Sequence, residues 1–253
     1  MKNQNLLDQF FLKDEEIIGL LVETLAIKKK DIIFEIGAGS GIITREITKK
    51  AGKVIAVEID KTFAKDLKQI PGNIKLIFAD ALKVLKDRKK YSLKFNKIIG
   101  SLPSSIVEPL IPVLIGADFK MAVFLIPLKF AYKLINQPVF TAYFERQRES
   151  LCLFFALQKS SSAYFDIMII KKVSRKSFCP IPKTNWALIR IIKKPDPLKT
   201  GERARFLRQY VCNHPKAETK NALVEGLITF YRAQGKSLTK KQAKTLVVTQ
   251  NPL

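Results

Sequence analysis

Apolar residues follow two alternating patterns between residues 14 and 192. Asp14 is a suitable helix N-cap, and the apolar residues after it that share one helical face are Ile17, Ile18, Leu21, Val22 and Leu25. Short runs of β-branched and aromatic residues, typical of buried strands, comprise Asp31–Ile36, Lys53–Asp60, Ile74–Phe78, Phe95–Gly100, Met121–Ile126, Leu151–Leu157 and Trp186–Ile192. Because strands alternate with helical segments, the pattern predicts an α/β fold with a doubly wound, mostly parallel sheet.

The alternation stops near residue 195. Pro195 and Pro197 precede the polar, glycine-containing segment 199–201, which is typical of a linker. Residues 202–253 have the spacing of short helices. We therefore predict an α/β domain over residues 1–198 and a small helical domain over residues 199–253.

Three closely spaced glycines join the first predicted strand to a helix. Gly37 and Gly39 lack a Cβ atom, so they permit positive φ angles and let backbone amides face a ligand at a helix N-terminus. A dinucleotide fingerprint needs its third glycine three residues after the second, where this chain has Ile42. Gly41 comes one residue too early, and this spacing argues against a dinucleotide.

Two acidic residues follow the next two predicted strands. Glu58 lies about 20 residues from the glycines, the separation at which a carboxylate binds a ribose hydroxyl pair. Asp80 ends the following strand at the same predicted sheet edge. A structural or phosphate-binding turn remains an alternative for the glycines alone. The combination favours an adenosine-bearing ligand, and S-adenosylmethionine fits best because no phosphate-binding Lys or Ser/Thr pair accompanies the turn.

The chain is strongly basic, with 45 Lys and Arg against 22 Asp and Glu and a net charge of +23. Residues 171–253 contain 19 of the basic residues and only 4 of the acidic ones. This excess predicts a polyanionic partner such as RNA. A lysine-rich surface with no particular partner is the competing interpretation.

Several other functional classes lack support in the sequence. Cys152, Cys179 and Cys212 are far apart and lack metal-ligand spacing, so we expect neither a disulfide framework nor a metal site, and we expect a cytoplasmic protein. The single histidine, His214, is more typical of a surface or packing residue than of a general base. No apolar run is long enough for a membrane span, and no membrane partner is expected.

Three segments together carry a family resemblance. They are Asp8–Asp14 near the start, the loop Ser101-Leu102-Pro103-Ser104 after the fourth strand, and Ser177–Lys183 with its F-x-P-x-P-K pattern. With the glycine stretch E-I-G-x-G-x-G, they make residues 8–245 resemble the rRNA adenine N6,N6-dimethyltransferases of the small ribosomal subunit. The resemblance implies a Rossmann-like class I fold that uses S-adenosylmethionine.

The resemblance also implies roles for individual residues. Glu58 would bind the ribose, Asp80 would face the adenine amino group, and Gly37 and Gly39 would pass beneath the methionine moiety. The full implied cofactor site is Gln9, Phe10, Leu12, Glu35, Gly37, Gly39, Glu58, Ile59, Asp80, Ala81 and Ser101. The implied catalytic residues are Ser101, Leu102, Pro103, Ser104 and Phe178, with Phe178 contacting the target base.

The catalytic loop departs from the family pattern. The family has Asn-Leu-Pro followed by Tyr or Phe, whereas this chain has Ser101 and Ser104 at the first and fourth positions. Ser101 keeps a hydroxyl acceptor, but Ser104 cannot stack on a base. Two alternatives stay open: a noncatalytic RNA-binding assembly factor, and a methyltransferase redirected to another amino group or to DNA. Phe178 has an alternative interpretation as an ordinary core aromatic.

We expect the basic C-terminal segment to bind phosphates of ribosomal RNA in the small-subunit precursor. The RNA-binding candidates are Lys183, Lys216, Lys220, Lys240, Lys241 and Lys244. A solvated helical face is the alternative for any one of these lysines. A monomer is the expected state.

Overall fold

A computed structural model describes residues 9–88, 90–136, 164–214 and 217–249. The chain divides into two compact units, one comprising residues 1–135 and 167–192 and the other residues 136–166 and 193–253. The domain boundary at residue 198 stays a prediction.

The first unit is built from strands and helices in alternation. Its strands are β1 (Phe11–Leu12), β2 (Ile32–Ile36), β3 (Lys53–Glu58), β4 (Ile74–Phe78), β5 (Lys97–Ser101), β6 (Met121–Pro127), β7 (Phe165–Val173), β8 (Phe178–Cys179) and β9 (Trp186–Lys193). Its helices are α1 (Glu15–Thr24), α2 (Ile42–Thr48), α3 (Ala64–Lys68), α4 (Ala81–Lys86), α5 (Ser104–Gly116) and α6 (Leu128–Asn136).

Seven strands form one sheet in the order β4-β3-β2-β5-β6-β9-β7. The pairs β4–β3, β3–β2, β2–β5 and β5–β6 are parallel, whereas β9 runs antiparallel to β6. The predicted α/β class and mostly parallel sheet are therefore confirmed. Because β2 to β6 run the same way, their carboxyl ends lie at one edge of the sheet, which is where ligands bind in open α/β sheets.

The first predicted helix begins where its capping residue indicates. Asp14 Oδ1 accepts a hydrogen bond from the backbone N–H of Ile17 at 3.3 Å, and its Oδ2 accepts one from the Ser177 hydroxyl at 2.7 Å. The hydrogen bond from Ser177 is the main reason that the pKa of Asp14 is lowered. The helix buries the predicted apolar face, which includes Ile17, Leu21 and Val22.

A buried ion pair holds the starts of β2 and β5 together. Lys97 Nζ lies 2.8 Å from Asp31 Oδ2 and donates to the carbonyl of Ala26 at 2.6 Å. Asn96 donates to Asp31 Oδ1 at 2.7 Å and accepts from the N–H of Ile32 at 2.8 Å. Because every charged atom in this cluster has a partner, the pair can stay buried next to the hydrophobic core.

Some elements differ from the sequence-based expectations. The strand predicted to reach Asp60 ends at Glu58, because Glu58 Oε1 accepts from the N–H of Asp60, and Asp60 then caps the 3₁₀ helix Lys61–Phe63. Strand β7 was not predicted, and the predicted strand Leu151–Leu157 lies outside the described residues. Strands β1 and β8 form a separate antiparallel pair that joins Leu12 to Phe178.

Helices make up the described part of the second unit after residue 193. They are α7 (Pro197–Thr200), α8 (Arg203–Asn213), α9 (Thr219–Ala233) and α10 (Lys240–Thr249). Residues Leu207, Val211, Val224 and Leu227 are buried between α8 and α9. The short helices predicted for residues 202–253 are confirmed where the structure describes them.

Candidate active site

The glycine turn after β2 has the conformation that the sequence predicted. Gly37 and Gly39 have φ angles of +70° and +52°, and residues with a Cβ atom rarely adopt such positive values. The N–H groups of Gly37 and Ala38 both donate to the carbonyl of Val57, at 2.9 and 3.2 Å. The turn is therefore fixed to the end of β3 before α2 begins at Ile42.

Glu58 joins the glycine turn to the end of its own strand. Its Oε2 accepts from the N–H of Gly39 at 2.7 Å, and its Oε1 accepts from the N–H of Asp60 at 2.9 Å. The residue is only 5% exposed. Each carboxylate oxygen can accept a second hydrogen bond, so this fixed carboxylate can still accept from the hydroxyls of a ligand.

Glu35 lies behind the turn and has no exposed surface. Burial raises the pKa of this carboxyl to about 8, partly offset by the Thr44 hydroxyl that donates to Oε2 at 2.7 Å, and the charge of Glu58 raises it further. Glu35 is therefore largely protonated at neutral pH. Its contact with Thr44 connects β2 to the first turn of α2.

Asp80 stands at the end of β4, one strand beyond Glu58. Its Oδ1 accepts from the N–H of Leu82 at 2.8 Å and caps α4. The N–H of Ala79 donates to the carbonyl of Glu58 at 2.9 Å. The two acidic residues are therefore held at neighbouring strand ends, as the sequence predicted.

These strand ends surround one cavity of about 450 Å³. The predicted site residues that line it are Gln9, Phe10, Leu12, Gly37, Gly39, Glu58, Ile59, Asp80, Ala81, Ser101, Leu102 and Pro103. The volume lies within the range of small-molecule pockets, about 300–1,000 Å³. Twelve of the fifteen predicted catalytic and cofactor-binding residues therefore line this cavity, and their individual roles stay predictions.

Three predicted residues do not line the cavity. Glu35 lies behind the turn, and Ser104 is the first residue of α5, where the neighbouring Ser105 and Ile106 face the cavity instead. Phe178 has no exposed surface, and its ring centroid lies 4.5 Å from that of Trp186. The structure therefore places Phe178 in the core, and this position agrees with the alternative interpretation as a core aromatic.

Other cavity residues were missed in the sequence. Phe11 lines the cavity next to Gly39 and packs edge-on against Phe63, with 5.7 Å between ring centroids. Trp186 lines it from the start of β9. Phe11 was missed although the predicted residues Phe10 and Leu12 flank it in the sequence. The position of Trp186 depends on the antiparallel pairing of β9, which the alternation of elements did not predict.

The cavity fits an adenosine-bearing ligand with an apolar surround. Carboxylates at two strand ends can accept from hydroxyl and amino groups, while Phe11, Ile42 and Ile59 provide partly exposed apolar surface. The glycine turn supplies backbone close to the cavity without side-chain bulk. S-adenosylmethionine has the ribose hydroxyls, the adenine amino group and the apolar ring faces that these residues can contact. The residues present therefore fit it.

The candidate RNA-binding lysines are exposed where the structure describes them. Lys183 belongs to the first unit, and Lys220, Lys240, Lys241 and Lys244 belong to the second. Lys240 lies 3.4 Å from Glu225, which partly neutralises its charge. Lys216 lies outside the described residues.

Two other kinds of site are absent from the described residues. Within the segments that the structure describes, no helix is both long enough and apolar enough to cross a bilayer. Over the same segments, no cluster of three or more His, Cys, Asp or Glu side chains has the arrangement to bind a metal ion.

Comparisons with known sequences identify related proteins. Residues 1–246 match the model of the family described as ribosomal RNA adenine dimethylase. The probable ribosomal RNA small subunit methyltransferase A of Methanococcus aeolicus is 33% identical over 231 residues, which cover 88% of this chain and 79% of that protein. The protein with the same description from Pyrococcus furiosus is 31% identical over 240 residues, which cover 94% of this chain and 79% of that protein.

Solved structures with the same fold include a dimethyladenosine transferase and an rRNA methyltransferase. A dimethyladenosine transferase from Plasmodium falciparum aligns over 93% of this chain and 86% of its own, with a TM-score of 0.61 and 20% identity. The 23S rRNA methyltransferase ErmE aligns over 94% of this chain and 96% of its own, with a TM-score of 0.58 and 21% identity. At these identities the structural likeness establishes the fold.

Proposed function

Because the chain belongs to the ribosomal RNA adenine dimethylase family, we propose that it transfers methyl groups from S-adenosylmethionine to the N6 atom of an adenine in small-subunit ribosomal RNA. The observation that carries the proposal is the single cavity that brings the glycine turn, Glu58, Asp80 and Ser101 together. The substrate class is inferred from family membership, and the residues of the site are inferred from the lining of the cavity.

Glu58 and Asp80 would hold the cofactor's adenosine. The Glu58 carboxylate is fixed by two backbone N–H groups and would accept from the ribose hydroxyls. Asp80, one strand away, would accept from the amino group of the adenine ring. The cofactor itself supplies a methyl group activated by a sulfonium. No acid, base or metal is therefore needed to activate the donor.

The acceptor end of the site would lie at the end of β5. The N6 atom of adenine is a poor nucleophile because its lone pair is delocalised into the ring. Hydrogen-bond acceptors directed at the two amino hydrogens favour a localised lone pair, and positioning supplies much of the rate. Ser101 Oγ is buried and has no hydrogen-bond partner among the described residues, so it is available as such an acceptor.

The noncatalytic alternative rests on Ser101 and Ser104, which replace the family's Asn and aromatic residue. The named relatives are methyltransferases, and the cavity retains a hydroxyl acceptor at Ser101. Both observations favour catalysis. Loss of the stacking aromatic at position 104 would weaken base binding by about 1–3 kcal/mol unless another ring replaces it.

The finer biological setting is also a proposal. We infer that the RNA is presented in an immature small subunit and that exposed lysines of the second unit bind its phosphates. A reducing cytoplasm agrees with the exposed free thiol of Cys179.

Calorimetry followed by methyl transfer tests the proposal. The wild-type protein should bind S-adenosylmethionine, and it should transfer tritiated methyl groups to immature small subunits. Glu58→Ala should weaken cofactor binding at least about 100-fold, because it removes the ribose acceptor and releases the glycine turn. Glu46→Ala, an exposed carboxylate on α2, is the matched control and should bind normally. Cofactor binding without transfer to any small-subunit RNA would favour the noncatalytic alternative.

A further inference from the structure

Trp186 has an unusual position for the only tryptophan of the chain. The residue lines the cavity, yet it is only 2% exposed. Its indole Nε1 is buried and has no hydrogen-bond partner within the residues that the structure describes. A buried N–H without a partner costs about 1–3 kcal/mol, and buried tryptophans usually satisfy this group. We therefore expect the unsatisfied indole N–H, in a residue that lines a ligand cavity, to donate to an acceptor atom of a bound ligand.

The sheet places this donor beyond the cofactor end of the cavity. Strand β9 runs antiparallel to β6, so its first residue, Trp186, pairs with Pro127, the last residue of β6. It thus lies at the edge formed by the carboxyl ends of the parallel strands. Along that edge the order is Asp80, Glu58, the glycine turn, Ser101, Pro127 and Trp186. With about 4.8 Å between strands, Trp186 lies on the order of 19 Å from the strand of Glu58 but about 10 Å from that of Ser101.

Two residues that line the same cavity therefore carry complementary unsatisfied atoms. Ser101 Oγ can accept a hydrogen bond, and Trp186 Nε1 can only donate one. An adenine offers the matching pair on one edge, because its amino group donates and the ring nitrogen on either side of it accepts. The cofactor's adenosine is assigned to the opposite end, at Glu58 and Asp80. The remaining purine is the base that receives the methyl group.

We propose that Trp186 recognises the acceptor adenine by donating its indole N–H to a ring nitrogen beside the N6 amino group. This inference rests on the proposed function, because it names the acceptor end of that site. It makes Trp186 a determinant of specificity for a purine with an acceptor at this position. Its ring also supplies an aromatic wall in a site whose loop has Ser104 in place of the family's aromatic residue.

Entry of the base requires a small side-chain movement. The Nε1 and Oγ atoms are both closed to solvent in the structure. Phe10, which is partly buried and lines the cavity, stands edge-on to Trp186 with 6.0 Å between ring centroids. Phe178 also packs against the indole, with 4.5 Å between ring centroids, and is fully buried. We expect the movement at Phe10, because Phe178 is enclosed by the core.

The substitution Trp186→Phe tests the donor while keeping an aromatic ring. It should leave cofactor affinity within twofold of wild type and lower kcat/KM for methyl transfer to small-subunit RNA by about 5- to 100-fold, the value of one buried hydrogen bond. Ile189→Val, at a fully buried position of β9 outside the cavity lining, is the matched control and should transfer normally. Transfer by Trp186→Phe within twofold of wild type would overturn the inference, and so would a large loss of cofactor affinity.

Fluorescence gives a second readout that does not require catalysis. Because Trp186 is the sole tryptophan, its emission reports on this position alone. With S-adenosylhomocysteine present, adenosine monophosphate should shift the emission to longer wavelength, whereas cytidine monophosphate at the same concentration should not. An unchanged emission at saturating adenosine monophosphate would contradict the inference. If the wild-type protein binds cofactor but transfers no methyl group, the proposed function fails, and this emission shift still decides the role of Trp186.

Discussion

Glu35 and Glu58 are acidic residues on neighbouring strands with opposite roles. Glu58 stands at the cavity and accepts two backbone hydrogen bonds, so its charge is available to a ligand. Glu35 is fully buried behind the turn, where its raised pKa favours the protonated form. The sequence placed both in the cofactor site. Only the structure separates the residue that can contact a ligand from the one that supports the turn.

Glu35 makes the stability of the fold depend on pH. Its pKa rises from 4.5 to about 8 on folding, so its stabilising contribution is complete below pH 4.5 and is lost as pH rises towards 8. Glu35→Gln should therefore gain stability relative to wild type between pH 5 and 8, by a few kcal/mol at most. Urea unfolding of Glu35→Gln and wild type at pH 5 and at pH 8 measures the difference in their free energies of unfolding. Parallel pH profiles for Glu35→Gln and wild type would contradict the assigned pKa.

The two serines of the catalytic loop should differ in importance. Ser101 lines the cavity and its buried Oγ has no hydrogen-bond partner among the described residues, whereas Ser104 starts α5 and does not line the cavity. Ser101→Ala should lower kcat about 10- to 100-fold with cofactor affinity retained. Ser104→Ala should remain within threefold of wild type in the same single-turnover assay. Equal losses in the two variants would show that the loop acts through its backbone and not through Ser101.

Site residues at the ends of parallel strands were predictable. Glu58 and Asp80 converge because neighbouring parallel strands end at one edge, a rule that needs no coordinates. Trp186 was not predictable by that rule, because it begins a strand. Only the antiparallel pairing of β9 with β6 brings its first residue to the same edge. Phe178 differs for another reason: its pairing with Leu12 and its contact with Trp186 bury it.

The starts of β2 and β5 are held by polar contacts rather than by apolar packing alone. Desolvation tends to raise the pKa of Asp31, but hydrogen bonds from Lys97, Asn96 and the N–H of Lys28 outweigh it and lower the pKa to about 2. The charged form of Asp31 is therefore stable at neutral pH. This cluster holds together the amino-terminal ends of β2 and β5, at the opposite end of these strands from the cavity.

Breaking the buried pair should destabilise the sheet. Lys97→Ala leaves Asp31 buried without its cation and should lower the free energy of unfolding by about 3–5 kcal/mol. The matched control, Lys49→Ala, removes an exposed pair with Glu46 and should cost less than about 1 kcal/mol. Denaturant unfolding of both variants measures the difference. A loss for Lys97→Ala no larger than that of the control would contradict the role of the cluster.

Element boundaries were less predictable than element types. The strand ending at Ile36 was located from an apolar run, because a strand buried on both faces is almost continuously apolar. The strand ending at Phe78 was located from a similar run, although it lies at the edge of the sheet and exposes Lys75. Strand β7 was missed because the charged residues Asp166, Lys171 and Lys172 interrupt its apolar run. The strand predicted at Leu151–Leu157 stays a prediction.

The charge of the molecule is distributed unevenly, and the C-terminal part of the chain has the larger excess of basic residues. Exposed lysines on α9 and α10 lie in the helical unit, while the cavity lies entirely in the α/β unit. Composition alone predicted a polyanionic partner, and the family resemblance implied that it is RNA. Composition did not distinguish Lys240, which pairs with Glu225, from Lys241 and Lys244.

This distinction gives a test based on salt dependence. Lys241→Ala and Lys244→Ala should each weaken binding to small-subunit RNA and lower the slope of log affinity against log salt by about 0.7–1. Lys240→Ala should change the slope less, since Glu225 already neutralises part of its charge. Filter binding over a range of salt concentrations measures the slopes. Equal effects for all three lysines, or none, would contradict phosphate binding by this surface.

The most direct test of the central claim is the mass of the nucleosides in treated RNA. Small-subunit RNA or immature subunits are incubated with the wild-type protein and S-adenosylmethionine that carries a deuterated methyl group, and the RNA is then digested and analysed by mass spectrometry. The account predicts deuterium in N6-methylated adenosine, with Glu58→Ala giving none. Label absent from adenosine, in a protein that calorimetry shows to bind the cofactor, would contradict it.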